Sequence, residues 1–458
     1  MNTAYALTQP AAAAVRVPPH ERVVLANGVT LLIVPRRDVP LISFQAVLRG
    51  GPIGDTTPGV ASVVAGLLEK GAGERDAFAF ADAVEGAGGS FSVAAGMEAI
   101  SISGQFLARD QQLMLALLAD ALLRPRFDAA EFEKLRARRI ELIKAAKDSD
   151  PAELIGTYGR ALLFGNHPYG KPSSGSETTL ASLTHEHVLE YHRAHFGGDR
   201  LILVFAGDVD VAALKQGVSD AFGAWHPAAT ALAPVTEPPR VRDRRVLLVD
   251  SPDSSQTYFW IANVGVNKRY AEHAALDLVS ALYGGRFTSL LNTELRIKSG
   301  LSYGARATFT RSTAAGEFAI RSFTDTENTA KALELSLATL TRLKREGVTE
   351  AMLGSARGYV LGQYPLNFET AGDWAVAFAE LEFYGLGAGF IDDYAAALHE
   401  VTLPKARAVI DAAFPSADDV SIVLIGDAGR IREAVRRFGT ITELPITHPS
   451  FESRARAP

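Results

Sequence analysis

The chain has 458 residues, 46 Lys and Arg against 52 Asp and Glu, a formal net charge of −6, 10 His and no Cys. A single hydrophobic core stops growing near about 250–300 residues, so this length predicts roughly two to three domains. The acidic balance argues against a nucleic-acid binder that works by neutralising phosphates. The missing cysteines exclude a disulfide framework, thiolate-bound zinc, iron–sulfur ligation and a Cys nucleophile.

Hydrophobic residues make up 47% and charged residues 21%, an ordinary globular balance that excludes wholesale disorder. No run of about 18 apolar residues appears, so no membrane span is expected. Residues 2–18 lack the basic start and apolar stretch of an intact signal peptide, yet contain Ala4-Tyr5-Ala6, the small-x-small pattern of cleavage sites. The expectation is a flexible leader over residues 1–19 and a periplasmic protein whose signal has been removed. A cytoplasmic protein with an Ala/Pro leader is the other reading.

Folded pattern begins near His20. Arg22–Leu25 and Val29–Val34 read as strands around the Asn27-Gly28 turn, and Leu41–Leu48 as a third strand. Residues 57–70 and 76–86 read as helices. Gly88-Gly89 leads into strands over 90–95 and 98–107. Helices follow at 111–123, 129–147 and 152–164, then the irregular His167-Pro168-Tyr169-Gly170. Thr184 caps a helix to His195, and Arg200–Gly207 is a buried strand. Residues 226–241 carry four prolines without periodicity and read as a linker. Beyond it come strands 245–250 and 256–264, helices 270–283 and 287–298, strands 302–310 and 315–323, and helices 327–345 and 349–363.

This second series repeats the first. Leu201–Asp208 matches Val420–Asp427 at an offset of 219, and Leu163-Phe164-Gly165 matches Phe383-Tyr384-Gly385 at 220. The long helices at 129–147 and 349–363 correspond at nearly the same spacing. The layout is therefore two similar α+β domains, 20–225 and 242–445, joined by 226–241 and followed by a tail from 446 to 458.

The order of elements resembles the pitrilysin/insulinase metallopeptidases, particularly their mitochondrial-processing-peptidase-like bacterial members. Gly28-Val29-Thr30, Gly59–Gly71, Gly88-Gly89, His167–Gly170, the Gly207-Asp208 strand end and Gly284–Tyr303 carry the likeness, which covers residues 20–440. The resemblance implies two homologous domains, each a mostly antiparallel sheet packed by helices, forming half of a clamshell. It also implies a His-x-x-Glu-His helix whose histidines bind zinc and whose Glu activates water, with a distal Glu about 76 residues on.

Here the matching positions are Ser62, Ala65 and Gly66, with Leu142 at the distal position or Glu141 if the register slips by one. Catalytic zinc needs three donor side chains and an open position. Ser62, Gly66 and Leu142 provide none, and Glu69, with no His beside it, does not replace them. The expectation is a chain without zinc, inactive alone. The second half keeps Arg296 and Tyr303, seven residues apart, which match a family pair that reaches the zinc site from the C-terminal half. A guanidinium can hold a substrate carbonyl and a phenol can donate to an oxyanion. Without that resemblance, Arg296 is a helix-end cation, Gly300 a C-cap and Tyr303 a strand residue.

The resulting expectation is the non-catalytic, substrate-binding subunit of a heterodimeric peptidase. Its partner would be a sister chain bearing His-x-x-Glu-His and zinc, and its substrates would be peptides. The alternative is a structural core-type or peptide-binding protein with no role in hydrolysis. A weaker alternative places a metal at His185, His192 and His195, with His187 pointing elsewhere. His167–Tyr169 reads as packing, and Gly88–Val93 as a sheet edge that receives peptide in catalytic relatives. Arg136-Ala137-Arg138-Arg139 reads as a solvated helix face.

Overall fold

The computed structural model describes residues 15–452; the Ala4-Tyr5-Ala6 pattern lies outside them. Fourteen strands form two six-stranded sheets and one short hairpin. The N-terminal strands are β1 (Glu21–Val24), β2 (Thr30–Pro35), β3 (Leu41–Arg49), the hairpin pair β4 (Gly71–Ala72) and β5 (Arg75–Asp76), β6 (Ser90–Ala95), β7 (Ala99–Leu107) and β8 (Leu201–Gly207). The C-terminal strands are β9 (Arg245–Asp250), β10 (Gln256–Val264), β11 (Ala305–Phe309), β12 (Glu317–Asp325), β13 (Ser421–Gly426) and β14 (Thr440–Pro445).

The sheets are ordered β1-β2-β8-β3-β7-β6 and β11-β12-β10-β13-β9-β14. Five strands correspond in place and direction. The parallel pair β2–β8 matches β9–β13, and the antiparallel run β8-β3-β7-β6 matches β13-β10-β12-β11. Only the sixth differs. The β1 hairpin arm lies antiparallel on β2, whereas β14 lies parallel on β9. Both β8 and β13 are buried along their whole length, as central strands covered on two faces must be.

Those covers are exchanged between the halves. The helix Ile155–Phe164 belongs to the N-terminal half but packs on β10 and β13, with Tyr158, Ala161 and Phe164 against Leu247, Trp260 and Val423. The helix Ala371–Tyr384 belongs to the C-terminal half but packs on β3 and β8, where Trp374 and Phe378 meet Val34, Val47 and Val204. The repeated Leu163-Phe164-Gly165 and Phe383-Tyr384-Gly385 are the ends of these two helices. Close approach is built in. A Cβ on Gly159 would meet the Trp260 indole at 2.7 Å.

A buried carboxylate also joins the halves. Glu98 accepts from the Tyr169 hydroxyl at 2.6 Å and from the Thr313 amide at 3.0 Å across the boundary. This places His167–Gly170 in packing: His167 Nε2 lies 2.8 Å from the Thr236 carbonyl, and burial and Glu98 push the Tyr169 phenol up.

Several sequence expectations are corrected. The leader is anchored from Val15 onward, because Val15 and Val17 pack on the Trp374 cluster and the Val17 amide donates to Asp392 at 2.7 Å. The helix predicted over 270–283 runs from His273 to Ser280 and widens into a π-turn at Ala281–Gly285. The one predicted over 287–298 is a single α-turn, Leu290–Asn292, followed by a π-turn at Thr293–Lys298. There the Ser299 amide reaches back five residues to the Glu294 carbonyl at 3.2 Å. The strand predicted from 302 begins at Ala305, because Ser302 turns its hydroxyl onto the Gly304 backbone. The helices Val211–Phe222 and Ala371–Tyr384 had no counterpart in the sequence reading.

Candidate functional site

The helix matching the zinc motif runs from Val60 to Leu67 and is buried almost throughout. Asp55 holds its start, accepting from the Gly59 amide at 2.9 Å and the Ala61 amide at 3.4 Å. Burial pushes the Asp55 carboxyl up to about 7, against the opposing pull of those amides and Lys171. Ser62 and Gly66 face the long helix Ala129–Ser149, Ala65 is buried, and Leu142 on that helix is 58% exposed. Glu69 lies past the helix end and pairs with Lys70 at 3.3 Å, while exposed Glu141 pairs with Lys144 at 2.9 Å.

The space over Ser62 and Gly66 is taken by a guanidinium. Arg139 donates to the Ser62 hydroxyl through Nη1 and to the Ser62 carbonyl at 2.8 Å through Nη2. A Cβ on Gly66 would come within 2.8 Å of that same Nη2 and 3.0 Å of Leu135, so the glycine is where the arginine fits. Burial lowers the Arg139 pKa, with Glu69 opposing it. The solvated-face reading of 136–139 therefore holds for Ala137 and Arg138 and fails for Arg136 and Arg139. Arg136 donates to the Leu183 carbonyl at 2.6 Å, and Arg139 turns inward. The sequence does contain a signal for Arg139. It lies three residues before Leu142, on the helix face that carries the distal ligand position.

These residues do not fit zinc. A hydroxyl, a glycine and a leucine offer no ligand set, and a fixed positive charge beside them repels a divalent cation. The histidines are spent elsewhere. His185 Nε2 lies 2.5 Å from the Phe127 carbonyl, His192 Nε2 2.9 Å from the Leu122 carbonyl, His187 closes a capping box with Thr184, and His195 sits against Arg200. Burial lowers the pKa of both His192 and His195. Among the described residues no group of three or more His, Asp or Glu is placed to hold a metal. The three-histidine alternative fails because two of its members each face a different backbone carbonyl.

Arg296 and Tyr303 do come together. The π-turn Thr293–Lys298 carries Arg296, whose guanidinium carbon lies 4.2 Å from the Tyr303 ring centroid. The Phe287 ring also lies close, its centroid 4.9 Å from the same carbon. Tyr303 is 76% and Phe287 60% exposed. Gly300, at φ 63, turns the chain back so that Tyr303 returns over Arg296. Tyr303 stands in a loop two residues before β11 rather than within a strand. Among the described residues no hydrogen bond or ion pair engages the guanidinium, which leaves its N–H groups for carbonyl or carboxylate oxygens. Phe287 had no assigned role in the sequence reading; its signal was its place at the head of the Gly284–Tyr303 stretch.

Beside the vestigial helix lies a cleft of about 550 Å³, lined by Gly66, Val93, Arg138, Arg139, Leu142 and Arg160 among others. Among the described residues the outer edge strand β6 pairs only with β7, and it contributes Val93 to the cleft. No helix among the described residues is long and apolar enough to cross a membrane.

Residues 54–173 match the family described as Insulinase (Peptidase family M16), and residues 182–358 the one described as Peptidase M16 inactive domain. An uncharacterized zinc protease of Mycobacterium tuberculosis is 27% identical over 69% of this chain and 72% of its own. The non-peptidase homolog YmxG of Helicobacter pylori is 23% identical over 70% of this chain and 74% of its own. The fold matches a crystal structure of a peptidase M16 inactive domain from Pseudomonas fluorescens, at TM-score 0.83 and 23% identity, covering 93% of this chain and 99% of that one. With its two related α+β halves and its motif helix without zinc ligands, the chain belongs to the M16 (pitrilysin/insulinase) peptidase family as an inactive member.

Proposed function

We propose that this chain is the non-catalytic, substrate-binding subunit of a heterodimeric zinc metallopeptidase. A sister chain bearing His-x-x-Glu-His holds the metal, and this chain supplies Arg296 and Tyr303 to that site. One observation carries the reading. Arg296 lies against two exposed aromatic rings, while the chain's own motif helix is closed by Arg139. An exposed Arg–Tyr pair has no evident use within a chain whose own motif helix carries no zinc-ligand side chains. Presented to a partner, the guanidinium holds a substrate carbonyl through two parallel hydrogen bonds, and the phenol donates to the oxyanion that develops during hydrolysis.

The test is reconstitution. Mixing the chain with a His-x-x-Glu-His sister should restore peptide cleavage. Arg296→Ala and Tyr303→Phe should lower kcat about tenfold or more without weakening assembly, as loss of one oxyanion donor does. Full activity of both variants in an assembled pair would defeat the assignment. The name of the Helicobacter relative, a non-peptidase homolog, favours a second reading, a structural or peptide-binding protein without a hydrolytic role. That reading expects a stable complex with a non-peptidase protein and no effect of either substitution on hydrolysis.

A further inference from the structure

The guanidinium of Arg139 is largely buried, yet among the described residues it has no ion-pair partner. Its hydrogen-bond partners are the two Ser62 oxygens, both uncharged. Buried charges are normally matched, because leaving one unpaired in a low-dielectric setting is costly. Two of the five donor hydrogens of Arg139 are used on Ser62, and the side chain lines the cleft of about 550 Å³ beside it. Exposed Arg138 and half-buried Arg160 and Lys70 line the same cleft, against Glu69 and Glu153. Glu69 is already paired with Lys70 at 3.3 Å. The cleft is thus net cationic, and Arg139 has no ion-pair partner among the described residues, Glu69 opposing its burial only without direct contact.

The neighbouring surface specifies what else the ligand carries. Leu135, Leu142 and Ile143 give the cleft an apolar side, and Val93 brings the β6 edge strand to its rim. An unpaired strand edge recognises extended backbone, with alternate side chains entering the adjoining pocket. We infer that this cleft is a carboxylate-binding site for extended peptides, in which Arg139 and Arg138 grip the carboxylate while the peptide backbone runs along β6. A cation still faces the ligand where catalytic members hold theirs, but a guanidinium binds a carboxylate and activates no water. This rests on the peptide-binding part of the proposed function and gives it a chemical preference.

The experiment uses the full chain alone. Three fluorescein-labelled peptides of one length are titrated and followed by anisotropy: one with a free C-terminal carboxylate, its C-terminal amide, and an amide carrying glutamates. The free carboxylate, the glutamates or both should bind about tenfold more tightly than the neutral amide, a preference that weakens with salt. Whichever acidic peptide binds better identifies the source of the carboxylate. Arg138→Ala, at an exposed position, and Arg139→Leu, checked for folding by its melting curve, should each reduce the preference. Equal affinity for all three peptides, no binding of any, or a preference unchanged in Arg138→Ala and in folded Arg139→Leu would overturn the site. Because no sister chain is present, those failures are distinct from a failure of Arg296 or Tyr303 to affect hydrolysis.

Discussion

Arg139 holds Ser62 by both its hydroxyl and its carbonyl, so the residue at a lost ligand position is tied to a cation in the metal's place. Restoring the motif alone should therefore fail. A chain carrying Ser62→His, Ala65→Glu, Gly66→His and Leu142→Glu should take up well under one equivalent of zinc by elemental analysis. Adding Arg139→Ala should raise the content toward one equivalent, since the histidine at 66 needs the volume the guanidinium fills.

Gly159 meets Trp260 where a helix of one half crosses the sheet of the other. Gly159→Ala places a methyl group 2.7 Å from a fully buried indole with nowhere to move. Overpacking of this kind costs about 1–3 kcal/mol. Tm should fall by several degrees in a thermal melt, and a Tm at or above that of the wild type would contradict the tight contact.

Exchange of covering helices makes the halves interdependent. Calorimetry should show one cooperative transition rather than two. Residues 15–225 expressed alone lack the Ala371–Tyr384 cover and expose Leu32, Val34, Val47, Ile202 and Val204. That fragment should aggregate or bind a hydrophobic dye, whereas co-expression with the remaining chain should recover soluble protein.

Asp55 has a raised pKa, about 7 in the fold against about 3.9 in an unfolded chain. Between those values the folded chain binds a proton that the unfolded chain has released. The contribution of Asp55 is therefore fully present below about pH 4 and is lost as pH rises through about 7, a change on the order of a few kcal/mol. Asp55→Asn keeps an uncharged acceptor near the Gly59 amide. Between about pH 5 and pH 8 its Tm should fall less than that of the wild type, and parallel curves would contradict the shift.

Phe287 lies against Arg296 alongside Tyr303, with ring centroids 4.9 and 4.2 Å from the guanidinium carbon. At an exposed position such a contact supplies about 0.5–1 kcal/mol. Phe287→Ala should lower kcat/KM of the reconstituted heterodimer roughly two- to fivefold, and Phe287→Tyr, which keeps a ring, should restore it. A loss equal in both variants would point to packing rather than to support of the guanidinium.

Much of this protein was legible along the chain. Hydrophobic runs and turn residues located most strands, the offset between Gly207 and Gly426 revealed the duplication, and Ser62, Gly66 and Leu142 showed that zinc ligands are missing. These are local facts, set by residue type and spacing. The π-turns around Ala281 and Arg296 were not legible, because their hydrogen bonds shift by one residue within an otherwise helical pattern.

Tertiary structure alone decided how the pieces meet. An apolar helix face at 371–384 does not declare which sheet it will cover, and here it covers the sheet of the other half. A run of arginines looks the same whether it faces water or a helix. Only packing turned Arg139 onto Ser62 and left Arg138 outside. The sequence by itself determined that the zinc ligands are lost. The fold determined that a guanidinium took their place, because burial and partners depend on contacts between residues distant along the chain.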